Sequence, residues 1–221
     1  IEEFLKDGYG RVKVKVKPGW DEEPLSAIRK KFGGIDLMVD ANAAYTSEHF
    51  EDLKKLDKFG LMMIEQPLGK DALEDSARLQ AQMRTPICID ESADSLESVQ
   101  QAIKLRAASI VNIKLQRVGG IGPALKMHDY CLANKVPVWC GYMPELGIST
   151  AAGLHMSGLP GYTYPGDLEP SLRWFTDDIT SWPLGMDEPG YMDVPQGPGL
   201  GIGLDMEKVQ KYRVWGRKFQ R

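Results

Sequence analysis

Short β-branched or apolar runs alternate along this chain with longer amphipathic stretches, and the joints between them carry Gly, Pro, Asp or Asn. The short runs predict strands at residues 11–17, 36–40, 60–65, 86–90, 109–114 and 137–140, with a seventh at 162–165. The longer patterns predict helices at 22–32, 47–57, 71–83, 96–106, 123–134 and 145–157, several opening on acidic residues behind a Ser, Thr or Asp cap. Such βαβ alternation builds a parallel sheet with helical crossovers. Beyond Tyr164 the pattern breaks up: Gly and Pro recur from Pro183 to Gly203, and one last apolar pattern runs from Met206 to Trp215. Residues 1–221 therefore read as one domain, with an irregular cap and tail from about residue 166.

A charged residue stands at or near the end of each of the first five strand patterns. Lys15, Asp40, Glu65, Asp90 and Lys114 follow one another at intervals of 25, 25, 25 and 24 residues, one per βα unit. In a closed parallel barrel the C-terminal ends of all strands meet at one mouth, so residues recurring once per unit converge there. An open doubly wound sheet would spread them along an edge at about 4.8 Å per neighbouring strand. A TIM-like α/β barrel is the expected architecture. The pattern at Ile1–Leu5 reads as a helix that wants a strand before it, so a first strand is expected to be missing from the sequence given. An opened barrel leaves unpaired backbone on two edges, and a preceding segment or a partner chain is expected to fill the gap.

Asp40, Glu65 and Asp90 each end a strand that reads as buried. Three carboxylates converging on one point repel strongly in a low-dielectric cleft unless a cation sits among them. Oxygen ligands with open positions suit Mg2+, with Mn2+ as second choice. Any one of the three could equally cap the helix that follows it; the regular triple is what argues for a metal. Lys13 and Lys15, two apart on one strand, face the same side, where burial and mutual repulsion would depress an ammonium towards the value of a base working near neutrality. The same alternation would also arise on a solvated edge strand. Lys114 would face the metal from the other flank; a salt bridge to Asp90 or Glu91 is its structural alternative, expected in the resting state and compatible with catalysis. A metal-held carboxylate acidifies the adjacent carbon, and a lysine on each face can take or return that proton through an enediolate. Asn42, Gln66, Glu91 and Ser92 are placed to orient the ligands. Two alternatives stay open: a Schiff-base lyase with Lys114 as nucleophile, and a non-catalytic fragment that assembles only with a partner.

Composition narrows the field. The 221 residues are 43% apolar and 26% charged, with 27 basic against 31 acidic side chains, a net −4 that leaves no footprint for nucleic acid or an anionic membrane. No apolar run approaches the ~20 residues of a membrane span. Cys88, Cys131 and Cys140 lie in apolar stretches without CxxC spacing, which fits a reducing cytoplasm better than a disulfide framework. No secretory signal pattern opens the sequence. His49, His128 and His155 fall on helical patterns away from strand ends and receive no role, and no Gly-rich stretch has the strand and helix context of a nucleotide site.

The ordered set Val12-Lys13-Val14-Lys15, Val39-Asp40-Ala41-Asn42, Ile64-Glu65-Gln66-Pro67, Ile89-Asp90-Glu91-Ser92 and Asn112-Ile113-Lys114 resembles the enolase superfamily, muconate-lactonizing subgroup. Lys17-Pro18-Gly19-Trp20, Arg117-Val118-Gly119-Gly120, Pro137-Val138-Trp139-Cys140-Gly141 and Pro165-Gly166-Asp167 are most similar to its o-succinylbenzoate synthase and N-acylamino acid racemase branch. The resemblance implies a (β/α)7β barrel, here without its first strand and its N-terminal α+β capping domain. It further implies magnesium on Asp40, Glu65 and Asp90, an acid–base pair in Lys15 and Lys114, and a small carboxylate substrate lined by Gly141, Met143, Glu145 and Asp167. A homo-oligomer and a dehydration or racemisation reaction are implied as well. One loop departs from the family: Gly141-Tyr142-Met143-Pro144-Glu145-Leu146-Gly147 carries Tyr142 and Leu146 where small or hydroxylic residues are usual, with Pro144 between them.

Overall fold

A computed structural model describes residues 1–186 and 188–216. Six parallel strands lie side by side in sequence order: β1 (Val12–Lys15), β2 (Leu37–Asp40), β3 (Ile64–Glu65), β4 (Ile87–Ile89), β5 (Ile110–Ile113) and β6 (Val138–Cys140). Sequential neighbours in a parallel sheet require every crossover to pass on the same face, so the sheet curls into most of a barrel with its helices outside. The crossover helices are α2 (Glu22–Phe32), α3 (Phe50–Lys55), α4 (Leu73–Gln80), α5 (Leu96–Leu105) and α7 (Ile121–Ala133), with the short α1 (Glu2–Lys6) before β1 and α6 (Leu115–Val118) before α7. α8 (Gly147–Ser157) follows β6, and α9 (Met206–Tyr212) lies in the tail.

Local chemistry sets the boundaries. The Asp21 carboxylate accepts the Glu22 N–H at the start of α2, Glu22 and Glu23 meet the positive end of its dipole, and Arg29, Lys30 and Lys31 meet the other. The Ser95 hydroxyl accepts the Ser98 N–H at the start of α5. The pattern at 47–57 does not form one helix. A 3-10 turn at Ser47–His49 precedes α3 and another at Leu56–Phe59 follows it, ending on Gly60 in the left-handed region at φ 57°.

Alternation along the strands sorts side chains into two cores. Leu37, Val39, Ile64, Ile87, Val111, Ile113 and Val138 point outward and pack under the helices. Met38, Met63, Cys88, Ile110 and Trp139 point inward and pack on one another as a floor inside the barrel. Two residues further along β2, β3 and β4 stand Asp40, Glu65 and Asp90, which share the inward face and lie above that floor.

The predicted seventh strand is corrected. Residues 162–165 run beside β6 but form only an isolated parallel bridge, Val138 to Tyr162, with the Thr163 N–H on the Val138 carbonyl. Among the described residues nothing pairs with the outer edge of β1, so the sheet does not close through its backbone. The seam is spanned by side chains instead: Asp167, whose N–H donates to the Cys140 carbonyl, reaches Lys13 on β1 and Arg11 just before it. No described helix is long and apolar enough to cross a membrane.

Candidate active site

The ends of β2, β3 and β4 put Asp40, Glu65 and Asp90 in one row, all buried. Backbone register sets Asp40 opposite Glu65, and Lys15 opposite Asp40 on the other side. Glu65 is the most enclosed, standing over Met63 and Cys88 with no exposed surface. Burial pushes its carboxyl up to about 7; Lys13 pulls the other way, while the charges of Asp40, Asp90 and Asp167 add to the rise. Its Oε1 accepts from the Asn112 amide at 2.8 Å, and its Oε2 is buried without a hydrogen-bond partner.

Cationic groups flank the row on both sides. Lys15 donates to Asp40 Oδ2 at 2.7 Å and to Asn42 Oδ1 at 2.6 Å, with a side chain 61% exposed at the mouth. Lys114, beyond β5, donates to Asp90 Oδ2 at 3.0 Å from an almost closed environment. Arg117, three residues on, grips the same carboxylate at both oxygens and also the Asp90 carbonyl at 3.0 Å. The expectation of two lysines crowding each other is overturned. Lys13 leans away to Asp167, lies 3.6 Å from Glu65 Oε2, and is 4.0 Å from Asp40. Burial alone would lower its ammonium, but those three carboxylates outweigh it and hold Lys13 well above the ordinary lysine value.

The polar residues named around the row form a connected lattice. Asn42, at φ 42°, places its N–H on Asp40 Oδ1 and its side-chain amide on Glu91 Oε1 at 3.2 Å. Gln66, at φ 38°, accepts the N–H groups of Asp90 and Ser92 and donates to the Leu68 carbonyl and the Ser92 hydroxyl, tying the β3 and β4 ends together. Gly141 abuts Lys114, since a Cβ there would lie 2.6 Å from Lys114 Cε. Beyond it, the loop is tied to itself: the Tyr142 hydroxyl donates to the Glu145 carbonyl at 3.0 Å, and the Met143 N–H reaches Glu145 Oε1 at 3.3 Å. The Met143 side chain is exposed. Asp167 spends its carboxylate on Arg11 and Lys13.

Sequence reasoning passed over Asn112 and the grip of Arg117 on Asp90. Asn112 carried a readable signal, because it lies two residues before Lys114 on the same strand and so shares its inward face. Arg117 sits on the turn of α6, whose placement beside β4 no local pattern announces.

The donor set suits a hard divalent cation: three carboxylates in a row, one buried oxygen left without a partner, and burial that disfavours the bare Glu65 anion. As they stand, no three His, Cys, Asp or Glu side chains among the described residues gather tightly enough to hold an ion. Asp40 is turned towards Lys15, and Asp90 towards Lys114 and Arg117.

Comparison with known proteins agrees with this geometry. Residues 1–209 match the model of the family described as enolase C-terminal domain-like. The chain is 42% identical over 221 residues to an o-succinylbenzoate synthase of Geobacillus stearothermophilus, covering 100% of this chain and 59% of that protein. It is 45% identical over 216 residues to an N-succinylamino acid racemase of an Amycolatopsis species, covering 96% of this chain and 58% of the relative. A solved structure of an enolase superfamily member from Enterococcus faecalis V583 superposes with a TM-score of 0.90 at 42% identity, over 96% of this chain and 57% of that one. The chain thus spans somewhat over half the length of the curated relatives it matches.

Proposed function

This chain belongs to the enolase C-terminal domain-like family, and from that premise we propose that it carries the catalytic half of a magnesium-dependent enzyme abstracting a proton α to a carboxylate. The reaction is the dehydration that forms o-succinylbenzoate, the racemisation of N-succinylamino acids, or both; the relatives carrying those two names resemble this chain about equally. The observation that supports this reading is the bracketing of the acidic row. Lys15 on β1 and Lys114 after β5 each pair with an outer acid, and the central Glu65 keeps an oxygen unsatisfied.

Asp40, Glu65 and Asp90 would hold Mg2+, which when bound would neutralise the substrate carboxylate and acidify its neighbouring C–H. Lys15, the more accessible amine, takes the α-proton at Nζ once it is released from Asp40. Lys114, on the opposite flank, holds a positive charge beside the developing anion in the dehydration and delivers a proton to the other face in racemisation. Asn42 steadies Lys15 through its Oδ1, and Gln66 fixes the β3 and β4 ends that carry two of the acids. Gly141, Met143, Glu145 and Asp167 would line the substrate, and the bulk of Tyr142 and Leu146 would restrict its distal end.

The test is incubation with Mg2+ in deuterium oxide, offering in turn an N-succinylamino acid and the hydroxy-acid precursor of o-succinylbenzoate. With the N-succinylamino acid, deuterium at the α-carbon and inversion are expected; with the hydroxy acid, loss of water together with the α-hydrogen is expected. Lys15→Ala and Lys114→Ala should each remove the exchange and retain magnesium. The open seam between β1 and residues 162–165 favours a second reading, in which a further strand from a preceding segment or a partner must first complete the barrel. A folded, magnesium-loaded chain that exchanges no α-hydrogen would favour it.

A further inference from the structure

Asn112 is fully buried on β5, and its Nδ2 is the sole hydrogen-bond donor to the Glu65 carboxylate among the described residues. A carboxylate turns easily about its last bond, so one donor at Oε1 decides which oxygen remains available. The competitor stands close: Lys13 Nζ is 3.6 Å from Glu65 Oε2 and would draw a freed carboxylate into a tighter ion pair. Asn112 is itself held in place by what Gly141 lacks. A Cβ at 141 would lie 2.5 Å from Asn112 Nδ2, closer still to its Oδ1, and 2.6 Å from Lys114 Cε. Gly141 has an ordinary backbone conformation, so the need there is for space. One position without a side chain thus seats both the amide that orients the central acid and the stem of the flanking lysine.

We propose that Asn112, wedged against Gly141, is a positioning residue for the cation site: it fixes Glu65 through Oε1 and presents Oε2 to the metal. The inference rests on the metal reading given above and deepens it. Removing the amide frees Glu65 to turn to Lys13, and adding a methyl at 141 pushes the amide aside.

Mn2+ serves as the probe, titrated into the whole chain and followed by the electron paramagnetic resonance of free and bound ion, with circular dichroism of the metal-free protein to verify folding. Asn112→Ala is expected to weaken Mn2+ binding by about 10–100-fold, the range seen when a ligand's orienting partner is lost. Gly141→Ala should weaken it in the same direction. Asn112→Asp, close to isosteric, exchanges the donor for an acceptor beside Glu65, and it carries the same comparison if Asn112→Ala does not fold. The deciding measurement is a double-mutant cycle with Glu65→Gln. If Asn112 acts through Glu65, Asn112→Ala weakens binding no further in that background, whereas a merely structural role predicts that the two losses multiply. A folded Asn112 variant with wild-type Mn2+ affinity, or losses that multiply, would overturn this inference alone. Wild-type protein that binds no Mn2+ would overturn the metal reading and this inference with it.

Discussion

Magnesium binding should expel a proton from Glu65, and the amount should depend on pH in a calculable way. Burial over the Met63 and Cys88 floor, with Asp40 and Asp90 alongside, lifts the Glu65 carboxyl from its usual 4.5 to about 7. At about 1.36 kcal/mol per pH unit, that rise makes ionising Glu65 in the metal-free protein cost on the order of 3 kcal/mol more than in the unfolded chain. Between those two values the folded state binds more protons than the unfolded one, so Glu65's contribution to stability falls as pH rises through the window. A divalent cation reverses the preference, because it binds the anion. At pH 6 a group titrating near 7 is about nine-tenths protonated, and at pH 8 about one-tenth. Magnesium should therefore displace roughly 0.9 proton from this site at pH 6 and roughly 0.1 at pH 8, with affinity falling towards tenfold per pH unit below 7. Isothermal titration calorimetry in two buffers of different ionisation enthalpy measures the displaced protons directly. Glu65→Gln should abolish the pH-dependent part. Equal proton release at pH 6 and pH 8, or release unchanged by Glu65→Gln, would refute the claim that burial and the neighbouring acids hold this carboxyl neutral.

Other expectations follow from the same packing. Trp139 is buried in the barrel floor, donates its indole N–H to Cys88 Sγ at 3.2 Å and lies under Arg11 at 4.2 Å from the ring centroid; Trp139→Ala should cost about 3–5 kcal/mol in urea unfolding. Asp178 accepts the first N–H of α8 at Gly147, together with the Ser171 hydroxyl and the Thr180 N–H, so Asp178→Ala should cost about 1–3 kcal/mol and speed proteolysis of the tail. Burial raises the Asp178 carboxyl, but those hydrogen bonds outweigh it and hold it below the usual carboxylate value. Its stabilisation should accordingly be present above the unfolded-state value and fade as pH falls through the lowered one, and an acid melt of Asp178→Asn lacking that component is the check. Chelation by EDTA should abolish α-hydrogen exchange and added Mg2+ should restore it; exchange that survives chelation would remove the metal from the reaction.

The local patterns carried the fold a long way. Five charged residues at nearly equal spacing sufficed to expect curled parallel strands, because the βα repeat is written in local hydrophobic periodicity and in caps such as Asp21 and Ser95. The failures came where pairing is decided at a distance. Residues 162–165 have a strand-like composition, but they meet only β6, and without a second neighbour they form one bridge instead of a strand. The 47–57 pattern has helical spacing, but the chain must turn down to Gly60 before β3, and both its ends tighten into 3-10 geometry.

What the sequence by itself determined was the identity of the acidic row and its two lysines, since period-2 alternation dictates which strand residues share the inward face. Electrostatic partnership was decided by the tertiary structure alone. Lys13 and Lys15 are indistinguishable as letters two places apart, yet one is claimed by Asp167, 154 positions away, and the other by Asp40 and Asn42. Coulombic and hydrogen-bond energies depend on separation through space, and only the curl of the sheet brings β1 within reach of the segment that follows β6.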